Sequence, residues 1–201
     1  MLTKKQFEIL GVFHGRPFSK LTFKEIKRSS QQKSNNAVQV ALKKFEDEDL
    51  LITESVGNVN RYSLNFKNNL VLSYLNLINE FKVLKSNLPL ETIRTIGDKI
   101  LEQTVFFVYG VFGSFAKNLA RKDSDIDIFI LVKESDMKSD IGPVIETINR
   151  REIREIDYQI ISLSEFEKML ASKQENLGKQ IYRENIICYG YIEYLNLIKK
   201  F

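Results

Sequence analysis

The chain has very little cysteine and histidine, two side chains on which many metal and catalytic sites depend. Its 201 residues contain one cysteine, Cys188, and one histidine, His14. A lone cysteine cannot form an internal disulfide, which fits the reducing cytoplasm. A lone histidine argues against a histidine-rich zinc site and against a Ser-His-Asp mechanism. We therefore expect a cytoplasmic protein that relies on other residue types for its chemistry.

Long hydrophobic runs are missing as well. No apolar stretch reaches the roughly 18 residues of a membrane span, and VFFVYGVF (105–112) is far too short. Residues 1–10 contain lysines but no apolar segment ahead of a small-residue cleavage site, so we predict no signal peptide. We expect no membrane partner. With 43% hydrophobic and 28% charged residues, the composition suits one large globular domain or two small ones.

Positive charge is concentrated in the first third of the chain. Residues 1–68 hold 12 lysines and arginines against 7 acidic residues, a net charge of +5. Residues 69–201 hold 18 against 19, a net charge of −1. This asymmetry indicates two modules, of which the basic one is a candidate for binding nucleic acid.

Residues 1–66 have the pattern of three helices followed by a hairpin. Thr22 and Glu25 form a capping box, which predicts a helix start at Thr22. The third helix has apolar residues spaced i, i+3, i+4 and i+7, namely Val38, Ala41, Leu42 and Phe45. Two alternating segments then flank Gly57-Asn58, a pair typical of hairpin turns. This order predicts a winged helix-turn-helix domain.

The polar residues of this module favour DNA as its partner. The segment ALKKFEDEDLLITES (41–55) resembles the end of the recognition helix and the start of the wing in many winged-helix transcription regulators. Asp49 stands where such families often have glycine. The resemblance implies binding of double-stranded DNA through the third helix and the wing. The residues expected to contact DNA are Asn35, Asn36, Gln39, Lys43 and Arg61. A protein-docking module is the alternative.

The remainder of the chain is predicted to contain a linker helix (67–88) and a second domain (89–201). Apolar residues wrap most of the circumference of the linker helix, which is typical of a helix buried on several sides. Such a helix would bridge the modules or form a homodimer contact. From residue 89, helices and strands alternate, which predicts a small α/β module over a mostly β core.

Two acidic residues open one of the predicted strands, where a core strand usually has none. Asp125 and Asp127 alternate with Ile126 and Ile128, so both carboxylates lie on one face. Neighbouring carboxylates repel each other, and a divalent cation between them makes the arrangement favourable. Oxygen ligands without nearby histidine or cysteine point to Mg²⁺ or Mn²⁺.

A glycine-serine pair stands at the strand-to-helix transition ahead of these acids. Gly113 lets the backbone approach a ligand, Ser114 adds a hydroxyl, and the following helix offers N–H groups to a phosphate. Lys117, Arg121 and Lys122 lie in the loop and can offset further negative charge. Together with the two acids, the pattern fits a nucleoside triphosphate bound with Mg²⁺.

This stretch resembles the signature of the nucleotidyltransferase superfamily that includes DNA polymerase β, kanamycin nucleotidyltransferase and the minimal nucleotidyltransferases. The residues that fit are Gly113, Ser114, Ala116, Ser124, Asp125 and Asp127. Many members have Arg-Gly or Lys-Gly after the alanine, whereas this chain has Lys117-Asn118. The resemblance covers about residues 90–190 and implies the nucleotidyltransferase fold, an α+β (α/β) fold with a mixed β-sheet flanked by helices. It also implies Mg²⁺-dependent transfer of a nucleoside monophosphate from an NTP to a hydroxyl acceptor. The nucleotide-binding residues that it implies are Gly113, Ser114, Lys117 and Ser124.

The resemblance also requires a third carboxylate on a later strand. The segment EIDYQIIS (155–162) supplies Asp157, which alternates with apolar residues and so points away from the core. Glu155 is in phase with it and is the fallback. A surface acid or an ion-pair partner of Arg154 is the alternative role for Asp157. The implied catalytic residues, which are also the implied metal ligands, are Asp125, Asp127 and Asp157.

Two functions remain open from the sequence. One is a nucleotidyltransferase with a DNA-binding module, whose acceptor is a partner protein or the chain itself. The other is a winged-helix transcription regulator whose nucleotidyltransferase-like domain senses a nucleotide without catalysis. The sequence identifies neither the acceptor, nor the preferred NTP, nor the DNA sequence bound.

Overall fold

The computed structural model describes residues 1–135 and 137–201. The chain divides into two compact units, Met1–Asn79 (unit 1) and Glu80–Phe201 (unit 2). The finer division into 1–66, 67–88 and 89–201 stays a prediction. No helix of the described residues combines the length and the apolar composition needed to cross a membrane.

Unit 1 has the element order of a winged helix-turn-helix. The elements are α1 (Lys4–Leu10), a 3₁₀ turn (Gly11–Phe13), β1 (Leu21–Thr22), α2 (Phe23–Ser29), α3 (Asn35–Asp47), β2 (Leu51–Val56) and β3 (Val59–Leu64). The strands form an antiparallel sheet in the order β1-β3-β2. This confirms the predicted fold of this module. Strand β1 was not predicted, because two residues give no periodicity and become a strand only by pairing with β3.

The local signals of unit 1 act as the sequence predicts. The Thr22 hydroxyl accepts a hydrogen bond from the Glu25 backbone N–H, and the Glu25 carboxylate accepts one from the Thr22 backbone N–H. This capping box starts α2 by pairing backbone groups that a helix end leaves open. All four predicted apolar residues of α3 are buried. Val56 pairs with Val59 across the predicted turn, where Gly57 has a positive φ of 59°.

The long helix predicted after the hairpin is α4 (Asn69–Lys85). Val71 and Leu75 are fully buried, whereas Leu70 and Leu77 keep 54% and 45% of their surface exposed. The expectation of burial on several sides therefore holds for only part of its circumference within this chain. The homodimer contact predicted for this helix stays a prediction.

Unit 2 contains a four-stranded sheet flanked by helices. Its elements are α5 (Leu90–Leu101), β4 (Phe107–Val111), α6 (Gly113–Ala116), β5 (Ile126–Val132), α7 (Met137–Asn149), β6 (Ile156–Ser162), α8 (Leu163–Ala171), α9 (Leu177–Arg183), β7 (Ile186–Tyr189) and α10 (Tyr191–Ile198). The strand order is β6-β5-β4-β7. Strands β5 and β6 are parallel, and the other two pairs are antiparallel. The predicted mixed sheet is therefore confirmed.

The core of unit 2 lies on the sheet and places one acid at its end. Apolar residues of α5 and α7 pack with those of β4 and β5 in one buried cluster that includes Ile96, Ile100, Ile141 and Ile145. Every residue of β4 is buried, and so is every residue of β5 except Asp127. A strand buried on both faces is nearly all apolar. Asp127 interrupts that rule at the start of β5, where the strand leaves the core.

Candidate active site

The register of two parallel strands brings two of the predicted acids together. Strands β5 and β6 pair Asp127 with Asp157. Residues paired in register project from the same face of the sheet, so these two carboxylates are lateral neighbours. Asp125 stands two residues before Asp127, just ahead of the strand, and is exposed. The backbone carbonyl of Glu155, the fallback acid, accepts a hydrogen bond of 2.9 Å from the Ile126 N–H, which fixes the strand starts against each other.

The glycine-serine corner closes directly onto Asp127. Gly113 has a positive φ of 66°, and a Cβ at this position would overlap the Oδ2 atom of Asp127. The Phe112 N–H donates to the Asp127 backbone carbonyl at 2.9 Å. The Ser114 N–H donates to the Asp127 side chain. Only glycine satisfies both the backbone conformation and the space here, so the sequence signature has a local structural cause.

The surroundings of Asp127 make its negative charge unfavourable, as expected for a cation ligand. Burial raises the pKa of the Asp127 carboxyl above its ordinary value, and the hydrogen bond from Ser114 opposes that rise. Asp157 and Asp125 raise this pKa further, whereas Lys117 lowers it. The other two predicted acids therefore both act electrostatically on Asp127. A divalent cation would relieve their repulsion.

The donor set fits Mg²⁺ or Mn²⁺ in chemistry, although the side chains are not gathered around one point. The three acids offer only oxygen ligands, as hard divalent cations prefer. Within residues 1–135 and 137–201, no group of three or more His, Cys, Asp or Glu side chains converges tightly enough to hold a metal ion. Backbone pairing fixes Asp127 and Asp157 as neighbours on adjacent strands. Whether the carboxylates converge depends on side-chain rotation, which is free at the exposed Asp125 and Asp157.

The other predicted nucleotide contacts already have partners within the chain. Lys117 forms an ion pair with Glu184 at 3.2 Å, and both side chains are about half exposed. The Ser124 hydroxyl accepts a hydrogen bond of 2.8 Å from the Arg121 N–H and so closes a turn before Asp125. Ser114 lies at the corner and is partly exposed. Asn118 has a positive φ of 57°, so asparagine takes the left-handed place that glycine has in many members of the superfamily.

One residue beside the site was missed as a functional candidate. Arg154 was considered only as a partner for Asp157, but its Nη1 atom donates to the backbone carbonyls of Arg121 and Ser124, at 3.2 Å each. No sequence signal distinguishes this arginine from its neighbours Arg150 and Arg151. Only the pairing of β6 with β5 places it there.

In unit 1 the predicted DNA-contacting residues are all exposed. Asn35, Asn36, Gln39 and Lys43 are exposed on α3, and Arg61 is exposed on β3. The Asn35 side-chain oxygen accepts a hydrogen bond of 2.5 Å from Lys27 Nζ. Asn35 also lines a groove of about 600 Å³, together with Phe23, Lys24, Lys27, Arg28, Gln31 and Gln32 of unit 1. Basic side chains therefore extend the predicted surface from α3 onto α2.

Comparisons with known proteins bear on unit 2. The family model described as polymerase beta, nucleotidyltransferase matches residues 91–187. No curated protein matches the chain. One solved structure is similar at 19% identity, over 51% of this chain and 77% of its own, with a TM-score of 0.35. It is the crystal structure of MepR, a transcription regulator of the Staphylococcus aureus multidrug efflux pump MepA. A score this low adds nothing to the winged-helix assignment, which rests on the element order of unit 1.

The matched segment begins in α5 and ends within β7, so it contains β4, β5 and β6 and both parts of the signature. The corner at Gly113-Ser114, the acids that open β5 and the in-register Asp157 all lie within it. Residues 91–187, just under half of the chain, are therefore similar to the nucleotidyltransferase domain of the polymerase beta family.

Proposed function

We propose that unit 2 transfers a nucleoside monophosphate from an NTP to a hydroxyl group of a protein, and that unit 1 binds double-stranded DNA. One observation supports the transfer above all others. Asp127 lies in register with Asp157 on one face of the sheet and against the Gly113-Ser114 corner. Two carboxylates that can bind a cation therefore lie beside the Gly113-Ser114 corner, where a phosphate can approach the backbone.

Asp125, Asp127 and Asp157 are the residues that would hold Mg²⁺ or Mn²⁺. Such a cation, when bound, supplies positive charge to a triphosphate and lowers the pKa of a coordinated hydroxyl. The acceptor oxygen attacks the α-phosphorus and forms the new phosphoester bond. The bond from the α-phosphorus to the bridging oxygen breaks, and pyrophosphate leaves with that electron pair. Asp157 takes the hydroxyl proton, because it is exposed beside Asp127.

The chain contributes mainly by positioning these groups. Phosphoryl transfer depends more on alignment and on charge neutralisation than on covalent chemistry by the protein. Ser114 offers its hydroxyl at the corner, and Gly113 lets the backbone approach the triphosphate. Lys117 reaches the phosphates by giving up its ion pair with Glu184, an exchange that costs little at a half-exposed site.

The proposal is tested by labelling. The full chain is incubated with each α-³²P-labelled NTP and Mg²⁺ or Mn²⁺, with and without a cell extract that supplies acceptor proteins. We expect label on this chain or on a partner, together with released pyrophosphate. Asp127→Asn should reduce transfer by at least about a hundredfold, because it removes a charge that acts in the transition state. Asp98→Asn, at an exposed acid of α5, is the matched control and should transfer normally.

Full transfer by Asp127→Asn would refute the assigned site. Absence of label with every NTP, while the wild type binds NTP saturably, would favour the second candidate function. That candidate is a regulator that senses nucleotide without catalysis. The observation in its favour is that the three acids do not converge on one point among the described residues.

The DNA-binding proposal is supported by charge and shape. Unit 1 carries a net charge of +5, because residues 69–79 add no charged residue to the basic first third. Asn35, at the start of α3, lines the same groove as Lys24, Lys27 and Arg28 of α2. Helix-turn-helix proteins place the second helix of this motif in the major groove and use flanking basic residues on phosphates.

Salt titration of DNA binding distinguishes a phosphate contact, expected for Lys43, from a base contact, expected for Gln39. We expect Lys43→Ala to weaken binding to all duplex sequences and to reduce the log–log salt slope by roughly one, as for one lost phosphate contact. Gln39→Ala should instead relax sequence preference, by about 1–3 kcal/mol at one base position. Lys5→Ala on α1 serves as the control for charge alone. A salt slope near zero for the wild type would refute DNA binding and favour the protein-docking alternative.

A further inference from the structure

A short turn leads into the acidic segment, and its position depends on groups from elsewhere in the chain. The turn Arg121–Ser124 ends one residue before Asp125. Within it, the Ser124 N–H donates to the Arg121 carbonyl at 3.2 Å, and the Ser124 hydroxyl accepts from the Arg121 N–H at 2.8 Å. These two bonds are local. They close the turn but do not fix where it lies relative to the sheet or to the glycine-serine corner.

Arg154 supplies that link on one side. Its Nη1 atom donates to both carbonyls of the turn, those of Arg121 and Ser124, at 3.2 Å each. The next residue, Glu155, accepts a hydrogen bond from the first residue of β5, Ile126, at 2.9 Å. The arginine is thus attached to the strand that carries Asp127, and its side chain reaches back to the preceding turn.

The same guanidinium also contacts the other half of the signature. Its Cζ atom lies 5.6 Å from the ring centroid of Phe115, within the range of a cation–π contact. Phe115 is buried in α6, directly after Ser114. One side chain therefore touches the helix of the glycine-serine corner and the turn before the acids. A lysine matches this arrangement less well, because its donors share one compact nitrogen, whereas the planar guanidinium lies near the ring while its Nη1 atom donates to the turn.

We propose that Arg154 is a positioning residue, which fixes the Asp125–Asp127 segment relative to the Gly113-Ser114 corner. The inference rests on the proposed transfer reaction for its effect on rate. Its effect on backbone order does not depend on that reaction. Arg154 acts through the turn and through Phe115. A shift of about 1 Å between reacting groups can cost about a hundredfold in rate.

The test uses the full chain with Arg154→Lys and Phe115→Leu. Arg154→Lys keeps the charge and loses the fork and the planar face, whereas Phe115→Leu keeps an apolar side chain and loses the ring. Arg150→Ala, at an exposed arginine four positions earlier, is the control. Amide hydrogen exchange is measured without nucleotide, and kcat and KM for the NTP are measured in the labelling assay.

We expect Arg154→Lys to raise exchange about tenfold in residues 117–125 and to leave the rest of unit 2 unchanged. If the wild type transfers label, Arg154→Lys should lower kcat about 10- to 100-fold with little change in KM for the NTP. Phe115→Leu should show the same pattern more weakly. The Arg150→Ala control should match the wild type in both measurements.

Three results would overturn the inference. Unchanged exchange and kcat in Arg154→Lys would show that the turn is held without the arginine. Raised exchange throughout unit 2 would show a purely structural role. A raised KM with normal kcat would make Arg154 a direct nucleotide ligand instead. If the wild type transfers no label but the local exchange effect is present, positioning stands and the proposed transfer fails.

Discussion

At the scale of single residues, Asp127 is an ionisable group placed where its charge is unfavourable. Burial and the neighbouring Asp157 and Asp125 raise the pKa of its carboxyl. A raised pKa in the folded state means that the protonated form favours folding. That contribution is complete below the ordinary aspartate range and is lost as pH rises through the folded pKa.

Asp127→Asn should therefore stabilise the protein at neutral pH, by about 1 kcal/mol or less for this partly exposed group. The asparagine can still accept the Ser114 N–H. The difference from the wild type should vanish as pH falls below the ordinary aspartate value of 3.8, where both side chains are neutral. Urea unfolding across this pH range measures it. Added Mn²⁺ should stabilise the wild type and not the variant. A variant less stable than the wild type at pH 7 would contradict this account.

Gly113 is the second residue at which local geometry and function meet. Gly113→Ala should destabilise unit 2 by about 1–3 kcal/mol and abolish transfer, because alanine is strained at positive φ and would displace the Asp127 carboxylate. Gly97→Ala on α5 is the matched control. A Cβ there would come no closer than 4.0 Å to Tyr109, so a helical alanine should be neutral or stabilising. Calorimetry and the labelling assay together check both changes, and normal activity in Gly113→Ala would be the contrary result.

At the scale of elements, the junction of α3 and β2 is closed by backbone groups under mild strain. Asp49 has a positive φ of 55°, at the position where winged-helix families often have glycine. Its carbonyl accepts from the side-chain amides of Asn65 and Asn68, at 3.1 Å each. These amides lie after β3 and connect the end of α3 to the segment that follows the wing. Both bonds use the Asp49 backbone, so its side chain is not needed for them.

Asp49→Gly should therefore stabilise unit 1 by about 0.5–1 kcal/mol, because it removes the left-handed backbone penalty and keeps both bonds. Asp49→Ala removes the same charge and keeps the penalty, so it separates backbone strain from charge. Thermal unfolding of the two variants checks the difference. Equal stability of the glycine and alanine variants would show that backbone conformation is not the cause.

At the scale of the whole molecule, the two units differ in charge and in chemistry. Unit 1 holds the basic excess and the exposed polar face of α3, and unit 2 holds the acids of the candidate active site. Lys43→Ala, which tests the proposed DNA binding, and Asp127→Asn, which tests the proposed transfer, lie in different units. The same purified variants can therefore be carried through both assays.

Much of this arrangement could be predicted because it depends on local patterns. The capping box at Thr22, the buried face of α3 and the Gly57 turn each involve residues close in sequence. The glycine-serine corner and the Asp-x-Asp strand were found because their spacing is short and their residue types are unusual for a core. Strand β1, the ion pair of Lys117 with Glu184 and the contacts of Arg154 join distant segments, so no local pattern indicated them.

The sequence by itself determined which residues could do chemistry and which side of each element they occupy. Periodicity, turn residues and the shortage of histidine and cysteine are sufficient for that, because they act within a few residues of the chain. The tertiary structure alone decided which acids become neighbours. The parallel register of β5 with β6 places Asp157 beside Asp127, and it is fixed by backbone hydrogen bonds between strands separated by a helix.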